Sequence, residues 1–307
     1  MTIACATHFT PTSDAAVHVA ASLARRMHDH LLLASVVPNT ALMLDDGRLE
    51  SDVAMHLQLE AGRLRLEGID VSAEVLRGSL DESLARLCHA AHARLLVAGD
   101  SRHAQRLFLD APLDRISAGV PVPLLVVRSE RPFDAWARGE GPLRVLLAID
   151  HSWSSTLARD WIVQLSEFGP LDLTAVHIFH PEDEARRRGM GVADDDVREK
   201  LAKILYDETE AALVLLPDNV KRRVKLEIGR HHIAGLLIDV ASTEQADLLV
   251  LGTHRQHGLL GQMTSISHQV LADALMSVAF IPEESGRTPL RSVSIRSADE
   301  SAGAIVQ

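Results

Sequence analysis

The sequence predicts an α/β protein built from two tandem doubly wound parallel five-stranded sheets with flanking helices. Three observations carry this. An apolar strand that breaks at a glycine into a polar loop occurs twice, as Ala93-Arg-Leu-Leu-Val-Ala-Gly-Asp-Ser101 and as Ala246-Asp-Leu-Leu-Val-Leu-Gly-Thr-His254, which marks an internal duplication. Strand-like and helix-like stretches alternate through each half. The strands are continuous apolar runs, which fits strands buried on both faces of a parallel sheet, joined by right-handed crossovers.

Taken in order, the first half opens with Ile3-Ala-Cys-Ala-Thr-His8, an apolar run that turns polar. Strands are predicted over 2–7, 30–37, 72–77, 94–99 and 123–128, with helices over 13–28, 50–67, 80–92 and 103–118. The third strand ends at Gly78, and the fifth is Pro123-Leu-Leu-Val-Val-Arg128. The second half repeats this from Val145-Leu-Leu-Ala-Ile-Asp150, with strands over 143–149, 171–179, 223–228, 247–252 and 277–282 and helices over 153–167, 194–215, 231–244 and 264–275. Asp194-Asp-Asp196 begins the second of those helices, where carboxylates favour the positive end of the helix dipole. The extra length of this half falls between about residues 182 and 222. The expected domains are 1–128 and 142–284, with 129–141 as a Pro- and Gly-containing linker and 285–307 as a loose tail.

Composition excludes several classes. The chain has 31 basic and 42 acidic residues, a net charge of −11, and lacks the electrostatic footprint expected for nucleic acid or anionic lipid. Its two cysteines, Cys5 and Cys88, lie in apolar surroundings and suit reduced thiols in a cytoplasmic protein. No apolar run reaches the roughly 18 residues of a spanning helix, and the start of the chain does not read as a secretory leader.

In an open parallel sheet a ligand sits at the carboxyl ends of the strands, where helix N-termini direct free N–H groups outward. Three segments of the second half are predicted to meet there: Asp150-His-Ser152, His177-Ile178 and Gly252-Thr-His-Arg255. Asp150 has a second reading, as a cap of the following helix helped by Ser152.

These strings resemble the universal stress protein family in its tandem two-domain form, over roughly residues 2–128 and 143–283. The resemblance implies a Rossmann-like, adenine nucleotide alpha hydrolase-like fold and a nucleotide site in the second half. There Asp150 takes the position that reads adenine, Ile178 supplies a backbone contact to the base, and Gly252 is the first glycine of a loop around ribose and phosphate. Thr253 and His254 belong to that loop, and ATP or AMP is the implied ligand.

Two later glycines of the family loop are replaced here, by Arg255 and by Ser265. Arg255 brings a cation, and Thr264 and Ser265 stand at a helix start able to hold an anion. In the first half His8 replaces the aspartate, and Arg102 and Pro112 replace the glycines, so that half reads as a structural partner with a degenerate site. The resemblance further implies an internal pseudo-dimer joined along 123–128 and 277–282, with a homodimer as a further expectation.

Other chemistry finds less support. His177 and His180 are three apart and face opposite ways from a strand, His231 and His232 are neighbours at a helix start, and His254, His257 and His268 lie in or beside the ligand loop, where they could converge but where spacing alone favours solvated or hydrogen-bonded histidines. No metal is expected from them. No Gly-x-Ser-x-Gly elbow occurs, so the Ser, His and Asp residues have no motif that orders them into a nucleophilic triad. Arg186-Arg-Arg188 reads as a solvated loop. Two function classes remain: a nucleotide-binding or nucleotide-sensing regulatory module, and a scaffold acting through protein contacts with both sites decayed. Slow ATP hydrolysis ranks below both.

Overall fold

Apolar runs and amphipathic stretches alternate through a computed structural model that describes residues 1–39, 48–100, 119–229, 232–253 and 265–283. The first half contributes β1 (Thr2–Ala6), α1 (Pro11–Met27), β2 (His30–Val37), α2 (Arg48–Leu66), β3 (Val71–Arg77), α3 (Leu80–Ala90), β4 (Ala93–Gly99) and β5 (Leu124–Val127). A helix α4 (Arg131–Ala137) leads into the second half. That half comprises β6 (Leu143–Ile149), α5 (Trp153–Ser166), β7 (Leu171–Phe179), α6 (Pro181–Arg187), α7 (Asp195–Ala212), β8 (Val220–Ile228), α8 (Ile233–Thr243), β9 (Leu248–Thr253), α9 (Ser265–Asp273) and β10 (Ser277–Pro282). The helix expected over 103–118 and the tail lie outside the described residues.

The two five-stranded sheets join into one sheet of ten strands, in the order β3-β2-β1-β4-β5-β10-β9-β6-β7-β8. All neighbours run parallel except β5 and β10, which pair antiparallel with Leu125 opposite Ala279, Val126 opposite Val278 and Leu124 opposite Phe280. Gly99 pairs with Val127 and Gly252 with Ile281, which makes Leu125 and Ala279 equivalent residues of the two repeats. Equivalent residues that face each other across an antiparallel pair define a two-fold axis. It passes between Leu125 and Ala279, and the halves form the expected internal pair along the expected strands.

Every residue of β5 and β10 is buried. One apolar cluster spans both halves on the α1, α2 and α5 face, with Leu33, Val97, Leu125, Leu147 and Ala279, and a second spans both on the α3 and α8 face, with Leu96, Val126, Leu249 and Phe280. Cys5 and Cys88 are free thiols buried on opposite faces, and burial pushes Cys88 up to about 12, so both are held as inert thiols.

The seam also carries a buried ion pair. The Arg128 guanidinium donates to Asp100 Oδ2 at 2.8 Å and to the Leu271 carbonyl at 2.5 Å, while the Arg128 amide donates to Ser277 Oγ at 3.1 Å. The two charged side chains are 3% and 7% exposed. Arg128 thereby ties the end of β4 in one repeat to α9 in the other.

Two expectations change. The segment 129–141, expected only as a Pro- and Gly-containing linker, holds α4, which buries Phe133 and Trp136, and the Trp136 indole donates to the Pro170 carbonyl at 2.9 Å. His18 on α1 meets Asp134 at 2.8 Å, so this short helix is fastened to both repeats. Arg186–Arg188 is not a solvated loop. Arg186 and Arg187 end α6, and Arg188 bonds Glu184 at 2.9 Å and Glu208 at 2.9 and 2.7 Å, clamping α6 against α7. The Asp194 carboxylate caps α7, accepting from the Val197 amide at 2.9 Å.

Breaking a buried pair from one side strands the other charge, at a cost of about 3–5 kcal/mol. Arg128→Met is therefore expected to lower the unfolding free energy by that amount in urea titrations. Ser277→Ala, which removes one neutral hydrogen bond, is expected to cost about 0.5–1.5 kcal/mol.

Candidate functional site

Strand order reverses twice, between β1 and β4 and between β6 and β9, and each reversal opens a crevice at the carboxyl ends of the strands. In the second half Ile149 pairs with His177 and Leu147 with Val250. Continued along the strands, that register brings Asp150, Ile178 and Thr253 to one level on three neighbouring strands. Asp150 is exposed, and its Oδ1 accepts from the Ser152 amide at 3.0 Å. Ser152 is the N-cap of α5, taking the Ser155 amide at 3.2 Å on its hydroxyl. Asp150 thus braces the turn into the helix, and Ser152 caps it. Thr253 is half-buried, its hydroxyl directed to the Ile281 carbonyl at 3.4 Å, and Ile178 packs partly buried against the α8-side core. Ser265 begins α9, while His254, Arg255 and Thr264 lie outside the described residues.

Gly252 has a structural role of its own. A Cβ there would stand 2.4 Å from the Ser154 carbonyl carbon and oxygen, and one at Gly99 would stand 2.4 Å from the Thr12 carbonyl oxygen. In both repeats the first turn of the helix after the first strand lies directly on the glycine. The first half, whose strand end carries His8 and no carboxylate, keeps its Gly99, so this glycine follows from packing whether or not a ligand binds. The turns into those helices are matched as well: Phe9 and His151 both hold φ 58, a left-handed conformation that costs a side chain about 1–2 kcal/mol.

The first-half crevice is built differently. His8 Nε2 lies 2.9 Å from the hydroxyl of Thr10, the N-cap of α1, and burial lowers its pKa against the opposing pull of Asp14. No carboxylate stands at the position of Asp150.

Sequence reasoning missed the role of His177. In β7 it is buried in phase with Leu171, Leu173 and Ala175, and its Nδ1 lies 2.9 Å from the Ile149 carbonyl. A carbonyl only accepts, so Nδ1 carries the proton. The His151 ring lies 4.8 Å away at 42°, and Phe179 stacks at 6.3 Å. Burial and the neighbouring His151 lower the His177 pKa, while the Ile149 carbonyl, Glu184 and Asp150 oppose them. The signal was a lone polar residue in the inward phase of an apolar strand. His180 does not join it: its ring packs on Gly229, where a Cβ would meet it at 2.7 Å. Among the described residues no group of three or more His, Cys, Asp or Glu is placed to hold a metal ion. None of the helices among them is long and apolar enough to cross a membrane.

Fold and crevices together define a tandem α/β protein with a two-fold scaffold and two unlike clefts, the second with a carboxylate, Asp150, and the first with an imidazole, His8, at the end of its first strand. The universal stress protein family model matches residues 1–128 and 143–282. The chain belongs to that family. A universal stress protein from Archaeoglobus fulgidus DSM 4304 shares the fold at a TM-score of 0.67 and 13% identity, over 92% of this chain and 98% of its own. A functionally unknown protein from Pseudomonas aeruginosa PAO1 shares it at a TM-score of 0.56 and 16% identity, over 92% of each chain. No match was found among curated proteins.

Two expected outcomes follow from the geometry. Gly99→Ala and Gly252→Ala should each destabilise the protein by about 1–3 kcal/mol in urea unfolding, because backbone must move in both. Between its lowered pKa and the ordinary histidine value of 6.5, His177 leaves the folded chain with fewer bound protons than the unfolded one. Its contribution is therefore complete above pH 6.5 and is lost as pH falls through that window. His177→Asn, which keeps a donor for the Ile149 carbonyl, should flatten the fall in melting temperature below pH 6.5, with His8 supplying a remaining slope of the same sign.

Proposed function

We propose that this universal stress protein is a cytoplasmic regulatory module that binds or senses adenine nucleotide, ATP or AMP, in its second repeat. The observation that carries the reading is the acidic residue Asp150 at a strand-order reversal, level with Ile178 and Thr253 and beside the start of α5. Asp150 accepts from the Ser152 amide, and an ionised carboxylate, which only accepts, is the complement of the adenine amino donor. Gly252, Thr253, His254 and Arg255 then line the ribose and phosphate side, with Thr264 and Ser265 at the start of α9. The repeats are read as domains 1–128 and 142–284, with residues 129–141 between them and 285–307 beyond. Association of two chains into a homodimer belongs to the same reading.

A second reading is favoured by a specific observation. Asp150 and Gly252 each have a fold role, in the Ser152 turn and in the close approach to Ser154, so both are accounted for in a protein-binding scaffold without nucleotide.

Calorimetry with ATP, ADP, AMP and adenosine separates the two. Losing a charged hydrogen-bond partner costs about 1.5–3 kcal/mol, or roughly tenfold to a hundredfold in affinity. Asp150→Ala should weaken nucleotide binding by that factor, and His8→Ala should leave it unchanged. If Arg255 holds phosphate, Arg255→Ala weakens ATP more than adenosine; if it blocks the path, Arg255→Gly tightens ATP. Absence of heat at millimolar nucleotide for wild type and Arg255→Gly alike leaves the scaffold.

A further inference from the structure

At the amino ends of β2 and β3, the opposite end of the first repeat's strands from its own crevice, a serine, a histidine and an aspartate form a hydrogen-bonded line. His30 Nε2 lies 2.7 Å from Ser72 Oγ, and His30 Nδ1 lies 3.0 Å from Asp70 Oδ2. Backbone register produces it. Leu31 pairs with Val71, which sets His30 level with Asp70. Residues two apart share a face of a strand, so Asp70 and Ser72 flank the imidazole from the same side.

The proton positions follow from the partners. An ionised carboxylate only accepts, so Nδ1–H donates to Asp70, and in the neutral ring Nε2 is left as the acceptor for the Ser72 hydroxyl. This is the arrangement in which a serine is activated as a nucleophile. His30 is 33% exposed and Asp70 81%, so the imidazole is reachable. The solvated carboxylate serves mainly to fix the tautomer.

The fold asks less of these positions. Gly78 donates to the Val37 carbonyl at 3.2 Å and Gly229 to the Phe179 carbonyl at 2.7 Å, which aligns the two repeats and makes Asp172 and Arg223 the counterparts of His30 and Ser72. Those two form a plain ion pair at 3.5 Å. A polar cross-strand contact satisfies the sheet edge there, and the chemistry of Ser72, His30 and Asp70 exceeds that need.

We propose that Ser72, His30 and Asp70 form a nucleophilic site that takes acyl groups from small esters with good leaving groups. Ser72 Oγ attacks the ester carbonyl carbon as its proton passes to His30 Nε2, and the carbonyl electron pair moves onto oxygen. When the adduct collapses, the bond to the alcohol oxygen breaks and that oxygen takes the electron pair and the proton from His30. Water then adds to the acyl-serine, giving its proton to His30, which returns it to Ser72 Oγ as the carboxylic acid departs. Leu31 donates to the Asp70 carbonyl at 2.8 Å, so by alternation the peptide groups of Val71 and Ala73 turn off the edge formed by β3, as the Arg65 bond to the Val71 carbonyl at 3.1 Å reflects. The Ala73 N–H is the main-chain donor next to the nucleophile for the developing oxyanion. An open strand edge suits a short acyl group. Asp70 acts as a positioning residue.

The test is acetylation of the full chain by 4-nitrophenyl acetate, followed by peptide mapping. A positioned base contributes about 10²–10⁴-fold, so Ser72 should acquire acetyl at least about 100-fold faster than Ser242, an exposed serine whose hydroxyl is spent on the Ile238 carbonyl. His30→Gln should bring Ser72 down to the Ser242 rate. Asp70→Asn should slow it, and Asp70→Glu should restore it. Acetylation of Ser72 no faster than Ser242 in the wild type overturns the proposal, and this comparison needs no variant to fold. A Ser72 rate unchanged in folded His30→Gln overturns it as well, leaving a polar latch.

Discussion

The antiparallel pairing of β5 with β10 is the constraint on which the rest of the molecule rests. β5 is a four-residue strand, Leu124–Val127, with both faces apolar, and alone it would end one sheet with bare backbone groups and no polar side. Joining it to its own counterpart removes both exposed ends at once and makes each apolar cluster continuous across the axis. Because the axis passes between equivalent residues, the two crevices are fixed on opposite sides of a shared core. The chemistry along that axis is one-sided. Arg128 and Asp100 correspond to Pro282 and Thr253, so only one repeat supplies a buried charge pair to the seam.

Duplication has kept the features that the backbone needs and let others drift. Gly99 and Gly252, the capped helix starts at Thr10 and Ser152, and the left-handed residues Phe9 and His151 recur because helix and strand approach within contact distance in both halves. At the end of the first strand the requirement is looser, since His8 bonds the Thr10 cap where Asp150 accepts from the Ser152 amide. A glycine in a loop motif is therefore weak testimony to a ligand when its missing Cβ already explains it. The side chain at the tip of the first strand is more telling, since the fold tolerates either residue there.

The strands and their parallel direction were readable in the sequence because continuous apolar runs and their repetition are properties of single segments, whereas the seam was an implication of the family resemblance. β7 and β10 begin and end where the runs do. What escaped depends on short spans or on pairing between segments. α4 has only seven residues, and its burial rests on Phe133 and Trp136, too few to establish a helical period. β8 starts at Val220, three residues ahead of its predicted start at 223, because Lys221 and Arg222 extend an edge strand without apolar character. The Arg188 clamp joins residues 20 apart in sequence, and the line of Ser72, His30 and Asp70 exists only once β2 and β3 are in register.

The two ends of each repeat's strands supply chemistry by different physical means. At the carboxyl ends, helix N-termini bring unpaired N–H groups, and a modest set of side chains gains a field that favours anions. At the amino ends the helix termini have the opposite sign, and the nucleophile and its base must be assembled from side chains. The pair of Asp172 and Arg223 shows the ordinary result, a neutralised edge. Placing an acceptor imidazole between a hydroxyl and a carboxylate at that position yields instead a serine with somewhere to send its proton. Its reactivity is bounded by solvent, since a carboxylate that is 81% exposed lends little field and an open edge excludes little water. A site of this kind acts on groups that already leave easily, which sets its chemistry apart from the nucleotide recognition proposed at the carboxyl ends of the second repeat's strands.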